Sequence, residues 1–297
     1  MNVLDFYIRL YNSLQTPRWL PTWTMTPFRR FVRLLANKHI PKYLAGPITF
    51  VPKSADRRIV VSFTSFPARI NNVWQVVECM LKQTLTPSKI ILWLSKEDFP
   101  QKRDLPESLL ERENNIFEIR MVEGNIRSHK KYYYASLEYA NDLLFLIDDD
   151  IYYPTHIIER SLAEYEKHPQ SVICNYGCQI AFDNTGKHLS YNMWGPIQKE
   201  GSVFFGSGGG TLFKPSELYK DLSNKELALS LTPTADDVWL NTMARLCKIP
   251  VYAVSNPILL PILNMNNINL TAVNNGMNQN DVQIAAVEEY YGRCFDK

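Results

Sequence analysis

A predicted buried strand that ends in three adjacent carboxylates constrains this chain more than any other feature. Leu143–Ile147 is a run of five apolar residues, and Asp148, Asp149 and Asp150 follow it directly. Uninterrupted apolar runs of this length are typical of strands that are buried on both faces of a sheet. Because neighbouring carboxylates repel one another, a fold that gathers them benefits from a cation, and oxygen ligands favour Mg²⁺ or Mn²⁺. A solvated loop or a helix cap is the alternative.

Strands and helices alternate between residues 57 and 150. The predicted strands are Arg58–Thr64, Lys89–Leu94, Phe117–Val122 and Leu143–Ile147, and the predicted helices are Asn72–Gln83, Pro106–Arg112 and Tyr132–Ala140. This order predicts an α/β fold with a mostly parallel sheet, right-handed crossovers and helices on its faces. Ligands of such open sheets bind outside the carboxyl ends of the strands. The rule places Thr64, Ser95 and the three aspartates along one edge.

The second half of the chain is less regular and carries two further motifs. Gly208, Gly209 and Gly210 are consecutive, and they remove side chains where a backbone must approach a ligand closely. Asp236 and Asp237 open a predicted helix. The other predicted elements are a helix at Ile157–Glu166, strands at Ser171–Ile180, Val203–Phe205 and Lys248–Val254, a helix after Pro215, an asparagine-rich mobile loop over residues 264–281 and a last helix containing Ala285–Tyr291.

Composition argues against several classes of protein. The chain has 297 residues, of which 45% are hydrophobic and 21% charged, as in ordinary soluble globular proteins. The net charge of +2 is too small to indicate a nucleic-acid partner. The five cysteines include no CxxC pair, so we expect reduced thiols in a cytosolic protein. We recognise no signal peptide and no apolar run long enough to span a membrane.

The N-terminal stretch differs from the rest. Residues 1–45 contain seven arginines and lysines but one acid, Asp5, and aromatic residues such as Trp19 and Trp23 lie among the basic ones. Prolines divide the stretch, so we expect one short helix, Arg29–Ala36, with Phe28, Phe31, Val32 and Leu35 on one face. Basic and aromatic residues together suit the surface of an anionic membrane. Packing of the aromatic residues on the main domain is an equally good alternative.

Taken in order, the motifs resemble those of GT-A nucleotide-sugar glycosyltransferases, in particular the small bacterial enzymes that build surface polysaccharides. The resemblance rests on Thr64-Ser65-Phe66-Pro67 after the first strand, the DxD-type motif at Asp148–Asp150, the glycine segment and the Asp236-Asp237 pair, and it covers about residues 57–260. It implies a GT-A (Rossmann-like) fold with an N-terminal helical extension, residues 1–55. The catalytic domain would be residues 56–297, with a nucleotide-binding half (56–150), an acceptor half (151–263) and a tail (264–297).

The resemblance also implies a metal and its ligands. Mn²⁺ or Mg²⁺ would neutralise the leaving nucleotide diphosphate. Asp150 would bind the metal directly, Asp148 would bind the ribose or reach the metal through water, and Asp149 would point away. Many relatives add a late histidine ligand, but the last histidine of this chain is His188, which precedes the glycine segment.

The donor is expected to contact several other residues. By resemblance, Thr64, Phe66, Pro67 and Arg69 would hold the nucleoside, Ser95 could touch the base or ribose, and Gly208, Gly209 and Gly210 would lie beside the donor sugar and the acceptor. Lys130 and Lys131 precede a helix near the fourth strand, where a lysine can pair with a diphosphate. A solvated basic turn is the alternative for these two lysines.

Asp237 is the predicted general base. An acceptor hydroxyl must lose its proton as it attacks the anomeric carbon, and a carboxylate at a helix N-terminus near the donor can accept it. Simple capping of the helix is the alternative. In relatives with such an acidic pair the second acid is usually the base, which favours Asp237 over Asp236. A base in this position implies inversion at the anomeric carbon.

The predicted function is therefore a metal-dependent glycosyltransferase of the hexosyltransferase class. It would move a sugar from a nucleotide-diphosphate sugar to a hydroxyl of a glycan or lipid-linked acceptor, in the cytoplasm and at the inner surface of the membrane. Two alternatives remain open. A nucleotidyltransferase acting on sugar phosphates normally has a glycine-rich, basic first loop, which Thr64–Arg69 is not. A catalytically inactive sugar-binding protein would not need Asp148, Asp150 and Asp237.

Overall fold

A seven-stranded sheet forms the centre of the protein in the computed structural model, which describes residues 1–16, 20–48, 51–197, 202–254, 259–263 and 278–297. In spatial order its strands are β5 (Phe117–Val122), β4 (Lys89–Ser95), β2 (Ile59–Thr64), β6 (Leu143–Ile147), β12 (Gly209–Phe213), β8 (Val172–Cys174) and β13 (Val251–Ala253). Only β12 runs antiparallel to its neighbours, β6 and β8. The predicted α/β class with a mostly parallel sheet is confirmed.

The remaining strands form three small sheets. These are β1 (Lys53–Ser54) with β3 (Leu85–Thr86), β9 (Gly177–Gln179) between β10 (Gly195–Pro196) and β11 (Val203–Phe205), and β7 (Ile151–Tyr152) with β14 (Leu260–Pro261). The predicted single strand Ser171–Ile180 is therefore wrong, because its two ends belong to β8 and β9 in different sheets.

Helices cover both faces of the large sheet. The α-helices of the described chain are α1 (Val3–Ser13), α2 (Thr26–Leu44), α3 (Val73–Leu81), α4 (Glu107–Leu110), α5 (Lys130–Glu138), α6 (Ile157–Lys167), α7 (Lys225–Leu231), α8 (Asp236–Leu246) and α9 (Gln279–Tyr291). Successive strand residues point to opposite faces. Val61 thus belongs to the buried cluster that includes residues of α1, α2, α3 and α6, while Val60 belongs to the cluster that includes residues of α5 and α8.

The N-terminal helices are longer than the sequence predicts. The short helix expected at Arg29–Ala36 is part of α2, which spans 19 residues. Pro27 does not break it, because a proline in the first turn has no intrahelical hydrogen bond to lose. The buried stripe consists of Val32, Ala36, Ile40 and Leu44. Phe28 and Phe31 are exposed while Val32 is buried, so the prediction that these three side chains share one face of the helix is wrong.

Helix α1 is tied directly to the main domain. The carboxylate of Asp5 accepts hydrogen bonds from the Thr155 backbone N–H at 3.0 Å and from the Thr155 hydroxyl at 2.6 Å. Leu4, Tyr7 and Ile8 belong to the same buried cluster as the central strands. Part of the N-terminal aromatic set therefore packs on the domain, whereas Trp23 is exposed and Trp19 lies outside the described residues.

Four remaining expectations concern a membrane span, the asparagine-rich loop, the last helix and the helix after Pro215. No described helix combines the length and the hydropathy needed to cross a membrane. Most of the predicted asparagine-rich loop, residues 264–277, lies outside the described residues. The predicted last helix is longer than expected and begins at Gln279. A short 3-10 turn, Pro215–Glu217, stands where we expected a helix after Pro215.

Candidate active site

The three aspartates lie at the carboxyl end of β6, in the middle of the sheet. The backbone N–H of Asp148 donates to the Tyr153 hydroxyl at 2.8 Å and to the Gly208 carbonyl at 3.1 Å. The Tyr153 hydroxyl in turn donates to the same carbonyl. These bonds fix the end of β6 against the start of β12. The Asp148 side chain is 41% exposed and that of Asp150 is 26% exposed, so both face the open edge of the sheet.

The middle carboxylate, Asp149, faces inward. It is buried, and it accepts hydrogen bonds from the Ser65 hydroxyl at 2.6 Å and from the Arg69 guanidinium at 2.7 Å. Arg69 also lies 2.9 Å from Asp150 Oδ2 and over the Phe66 ring. The loop after β2 is thereby bound to the acidic strand end, as the shared-edge rule for parallel strands predicts.

The glycine segment reaches the aspartates because it enters the central sheet. Gly209–Phe213 is strand β12, which pairs with β6 so that Gly209 lies opposite Ile147. A Cβ atom on Gly208 would lie 1.8 Å from Asp148 Oδ2, so no other residue fits under that carboxylate. Gly210 has a φ of +95°, a conformation that favours glycine. The close approach that the structure shows is to the Asp148 carboxylate, and the predicted approach to a ligand stays a prediction.

Lys131 connects the acidic strand end to the second acidic motif. Its Nζ lies 2.9 Å from Asp148 Oδ1 and 2.9 Å from Asp236 Oδ2, and the residue is buried. Burial lowers the pKa of this ammonium, but Asp148 and Asp236 raise it by more, so Lys131 stays charged. The predicted role of Lys131 was to pair with a diphosphate; the structure shows it engaged by two carboxylates.

Lys130 is not brought to the same place. Its ammonium donates to Asn125 Oδ1 at 2.6 Å and lies 3.9 Å from Asp98, and burial lowers its pKa. Because Lys130 is only 2% exposed, the predicted alternative of a solvated basic turn does not describe it. The predicted diphosphate contact for Lys130 has no support in this arrangement.

Asp236 and Asp237 occupy the first turn of α8 and reach the same site through Ser207. The Ser207 hydroxyl donates to Asp236 Oδ2 and its backbone N–H donates to Asp237 Oδ1, both at 2.8 Å. The cap residue of α8 is Ala235, which has no side-chain hydrogen bond, so capping does not explain the pair.

The two neighbouring carboxylates have opposite electrostatic environments. Burial raises the pKa of Asp237 to about 6, and the charge of Asp236 adds to this. For Asp236, burial also favours the neutral form, but Lys131 outweighs it and the pKa is lowered. Acid–base groups work best when their pKa lies near the working pH. Asp237 therefore has the properties of a general base, and Asp236 those of a fixed anion.

The open carboxylates can accept a divalent ion. Asp148 uses Oδ1 for Lys131 and Asp150 uses Oδ2 for Arg69, which leaves Asp148 Oδ2 and Asp150 Oδ1 without a hydrogen bond in the described chain. Burial and the charge of Asp148 raise the pKa of Asp150 to about 7, so its anion is disfavoured here when no cation is added. Two carboxylates plus phosphate and water oxygens are a usual donor set for Mg²⁺.

His188 lies in a different cluster. Its Nε2 is 3.1 Å from Glu288, and these two side chains lie close to Asp296 near the chain end. His188 thus has acidic neighbours of its own, other than the strand-end carboxylates.

Other predicted donor contacts differ in their accessibility. Pro67 is exposed, and Phe66 and Thr64 are half-buried, although the Thr64 hydroxyl donates to the Trp93 carbonyl at 2.8 Å. Ser95 is fully buried, and its hydroxyl accepts the Glu97 N–H at 3.1 Å. Ser95 lies at the carboxyl end of β4, as predicted, but its buried side chain closes the turn after that strand, so its contact with the base or ribose stays a prediction.

Three residues of the site were not predicted from the sequence. Ser65 and Ser207 adjoin predicted residues in the chain, and each holds a carboxylate. Tyr153 joins the backbones of Asp148 and Gly208 from five residues downstream. A serine beside a motif is a weak signal, and nothing in the sequence pattern distinguishes Tyr153 from its neighbours.

Comparison with known proteins gives distant likenesses only. No family model and no curated protein matches the chain. Among solved structures it is similar to a mannosyltransferase from Pyrobaculum calidifontis in complex with GDP-Man and Mn²⁺, with 11% identity, coverage of 97% of this chain and 76% of that one, and a TM-score of 0.46. It is also similar to 4-diphosphocytidyl-2C-methyl-D-erythritol synthase, with 9% identity, coverage of 78% and 100%, and a TM-score of 0.43. A third similar structure is HddC from Yersinia pseudotuberculosis, with 14% identity, coverage of 57% of this chain and 79% of that one, and a TM-score of 0.34. The fold class rests on the strand order described above.

Proposed function

We propose that this protein is a metal-dependent, inverting glycosyltransferase that uses a nucleotide-diphosphate sugar as donor. One observation carries the proposal: Lys131 contacts both Asp148 and Asp236, and Ser207 joins Asp236 to the predicted base, Asp237, so the two acidic motifs lie together. The two acidic motifs are far apart in the sequence, and a structural role for either one alone does not require the other.

The residues of the site then have distinct tasks. Asp148 and Asp150 would hold Mn²⁺ or Mg²⁺, which neutralises the leaving diphosphate when bound. Asp237 accepts the proton of the acceptor hydroxyl. Two observations support this role: its pKa is raised, and its contact with Ser207 holds the carboxylate beside the glycine segment. Lys131 keeps Asp236 ionised and in position. Phe66 and Pro67 provide the accessible surface for the nucleoside.

A donor screen tests this function. Apparent stability is measured with UDP-, GDP-, CMP- and dTDP-sugars in the presence of Mn²⁺, because a bound ligand raises it by mass action. Hydrolysis of the stabilising donor is then followed with and without EDTA. Asp150→Ala should lose both responses while remaining folded, and Asp104→Ala, at an exposed acid outside the site, should keep them. Metal-independent turnover, or full turnover by Asp150→Ala, would remove the proposal.

Nucleotidyl transfer is the second candidate, and the first loop argues against it. Thr64–Arg69 contains one cation, Arg69, and that cation contacts Asp149 and Asp150. The loop therefore offers a triphosphate no cation that is not already engaged by carboxylates. Release of pyrophosphate from a nucleoside triphosphate and a sugar phosphate would favour this candidate. Donor binding without any turnover would favour an inactive sugar-binding protein.

The proposal includes contact with an anionic membrane surface, where a lipid-linked acceptor would be met. Trp23, Phe28 and Phe31 are 72%, 60% and 61% exposed. Phe28 and Phe31 lie on α2, and Trp23 lies in the 3-10 turn just before it. Exposed basic residues on α2 make no ion pair within the part of the chain that the structure describes: Arg30, Lys38 and Lys42. Apolar side chains beside unpaired cations suit the headgroup layer of anionic lipids.

Vesicle co-sedimentation tests the surface. Phe28→Ser/Phe31→Ser should reduce binding to anionic vesicles, whereas Leu137→Ser, at a similarly exposed leucine on α5, should not. High salt should weaken wild-type binding, since attraction between surface charges is screened within about 10 Å at 0.1 M salt. Equal partitioning of both variants and the wild type would show that α2 does not bind the membrane.

A further inference from the structure

A pocket of about 220 Å³ lies between α1 and α6, beside the segment that follows Asp150. Its apolar lining includes Ile8, Ile157 and Leu260. Polar and basic side chains complete it, among them Arg9 and Asn12 from α1 and His156 and Arg160 from the start of α6. Arg9 is one of the seven basic residues of the N-terminal stretch, and the proposed glycosyl transfer uses none of these four side chains.

The charges that face this pocket are unbalanced. Arg9 and Arg160 take part in no ion pair within the described ranges of the chain, and both are exposed. The one acid that lines the pocket, Asp5, already accepts two hydrogen bonds from Thr155 and one from Asn2. Arg9, Arg160 and His156 all line the pocket. Burial lowers the pKa of His156, Asp5 raises it, and the charges of Arg160 and Arg9 lower it again.

The pocket adjoins the candidate active site. Tyr153 and Gly209 line it. The Tyr153 hydroxyl accepts the Asp148 N–H and donates to the Gly208 carbonyl, so this side chain contacts both the pocket and the acidic strand end. Gly209 is the first residue of β12, next in the chain to the glycine that lies under Asp148. A molecule in the pocket would be one side chain away from the strand-end carboxylates.

We propose that this pocket binds an anionic group, phosphate or carboxylate, that is carried by the acceptor. The pocket itself is the evidence that an anion binds. That the acceptor carries this anion rests on the proposed function. Arginine side chains bind phosphate and carboxylate through paired N–H donors, and two of them converge here from different helices.

The size of the pocket limits the ligand. A volume of about 220 Å³ corresponds to roughly seven water molecules at about 30 Å³ each. It is below the roughly 300–1,000 Å³ typical of sites that enclose a whole drug-sized ligand. The pocket therefore fits one anionic group and the apolar or sugar portion attached to it, with the rest of the molecule outside. None of the residues expected to hold the nucleoside lines this pocket, which separates it from the predicted donor site.

Titration with inorganic phosphate tests the anion site without any nucleotide. Binding is measured by calorimetry for the wild type, Arg9→Gln/Arg160→Gln, Arg69→Gln and Arg103→Gln. Arg103 is an exposed arginine that does not line the pocket and has no ion pair in the described structure, so its variant controls for the loss of a positive charge. We expect the double variant to bind phosphate at least tenfold more weakly than the wild type and Arg103→Gln. The NMR signal of the His156 ring should shift when phosphate is added to the wild type.

Several results would overturn the proposal. These are wild-type phosphate affinity in the double variant, loss of binding in Arg69→Gln alone, and an absence of phosphate binding by the wild type. Unchanged melting of the double variant checks that it is folded. Because no donor is present, these results are independent of whether glycosyl transfer is found.

Two further arms identify the source of the anion. Glucose 6-phosphate represents a soluble acceptor, and phosphatidylcholine vesicles containing phosphatidic acid represent a lipid phosphate. Loss of glucose 6-phosphate binding in Arg9→Gln/Arg160→Gln would assign the pocket to a charged saccharide. Loss of vesicle binding in that variant, with glucose 6-phosphate not bound by the wild type, would assign it to a lipid phosphate.

Discussion

Replacing Asp236 or Asp237 with asparagine should change stability in opposite directions, although the two residues are adjacent. Burial and the charge of Asp236 raise the pKa of Asp237 to about 6, so the folded protein disfavours its anion. Lys131 outweighs burial at Asp236 and lowers its pKa. Asparagine keeps the shape and one oxygen for Ser207 while it removes the charge. At neutral pH, Asp237→Asn should therefore stabilise the protein and Asp236→Asn should destabilise it.

The size of each effect follows from the contacts. A shift of the Asp237 pKa from 3.8 to about 6 amounts to at most about 3 kcal/mol, and we expect about 1–3 kcal/mol because the pair titrates jointly. Between these two pKa values the folded state binds more protons than the unfolded state, so its stability falls as pH rises through this range. Asp236→Asn removes one of the two carboxylates on buried Lys131. Breaking a buried pair costs about 3–5 kcal/mol, an upper limit here because Asp148 remains.

Thermal melting of both variants at neutral pH and near pH 4 measures these effects. For a chain of this size, about 1 kcal/mol moves the Tm by roughly 2–4 °C. The gain in Asp237→Asn should shrink toward pH 4, where the wild-type carboxyl is protonated in the folded state. Asp104→Asn, at an exposed acid, is the control. Destabilisation by Asp237→Asn at neutral pH, or a gain independent of pH, would refute the electrostatic reasoning.

Three further outcomes are expected. Turnover should fall as pH decreases through about 6, because Asp237 must be deprotonated to accept a proton; a pH–kcat profile of the wild type checks this, and a flat profile over that range would contradict it. Asp237→Asn should bind the donor normally but lose kcat, as single-turnover kinetics would show; loss of Asp236→Asn turnover alone would reverse the assignment within the pair. Gly208→Ala should lose Mn²⁺-dependent nucleotide binding, because its Cβ would displace the Asp148 carboxylate, whereas Gly195→Ala, where no atom lies within 4 Å of the new Cβ, should retain it in the same calorimetric titration.

The sequence predicts most of the open edge of the sheet, for physical reasons. An apolar run ending in acids can be recognised locally, and parallel strands bring their carboxyl ends to one side. Asp148–Asp150 and the loop after β2 therefore meet as expected. The pairing of β12 with β6 cannot be read in this way. It depends on a long-range contact in which glycine replaces the β-branched residues typical of strands.

Lys131 shows a second limit of sequence reasoning. A lysine at a helix start is locally compatible with solvent, a phosphate or a carboxylate partner. Its burial against Asp148 and Asp236 follows only from the packing of α5 and α8 on the same face of the sheet. The helix spans of the N-terminal stretch were underestimated for a related reason. Proline at a first turn is tolerated, but the sequence does not show where that turn begins.

The attachment of α1 determines what a membrane contact of α2 could do. Leu4, Tyr7 and Ile8 are buried with the central strands. Asp5 holds Thr155, which lies two residues before the start of α6, in the segment that leads from the aspartates into that helix. Each buried apolar side chain contributes about 1.5–3 kcal/mol, so α1 does not detach readily. Helix α2 packs on α1 and shares the same cluster through Val32 and Ala36. Its exposed aromatic and basic face is therefore fixed relative to the acidic strand end. Contact of that face with a lipid surface would orient the site as well as recruit the protein, which a flexible tether could not do.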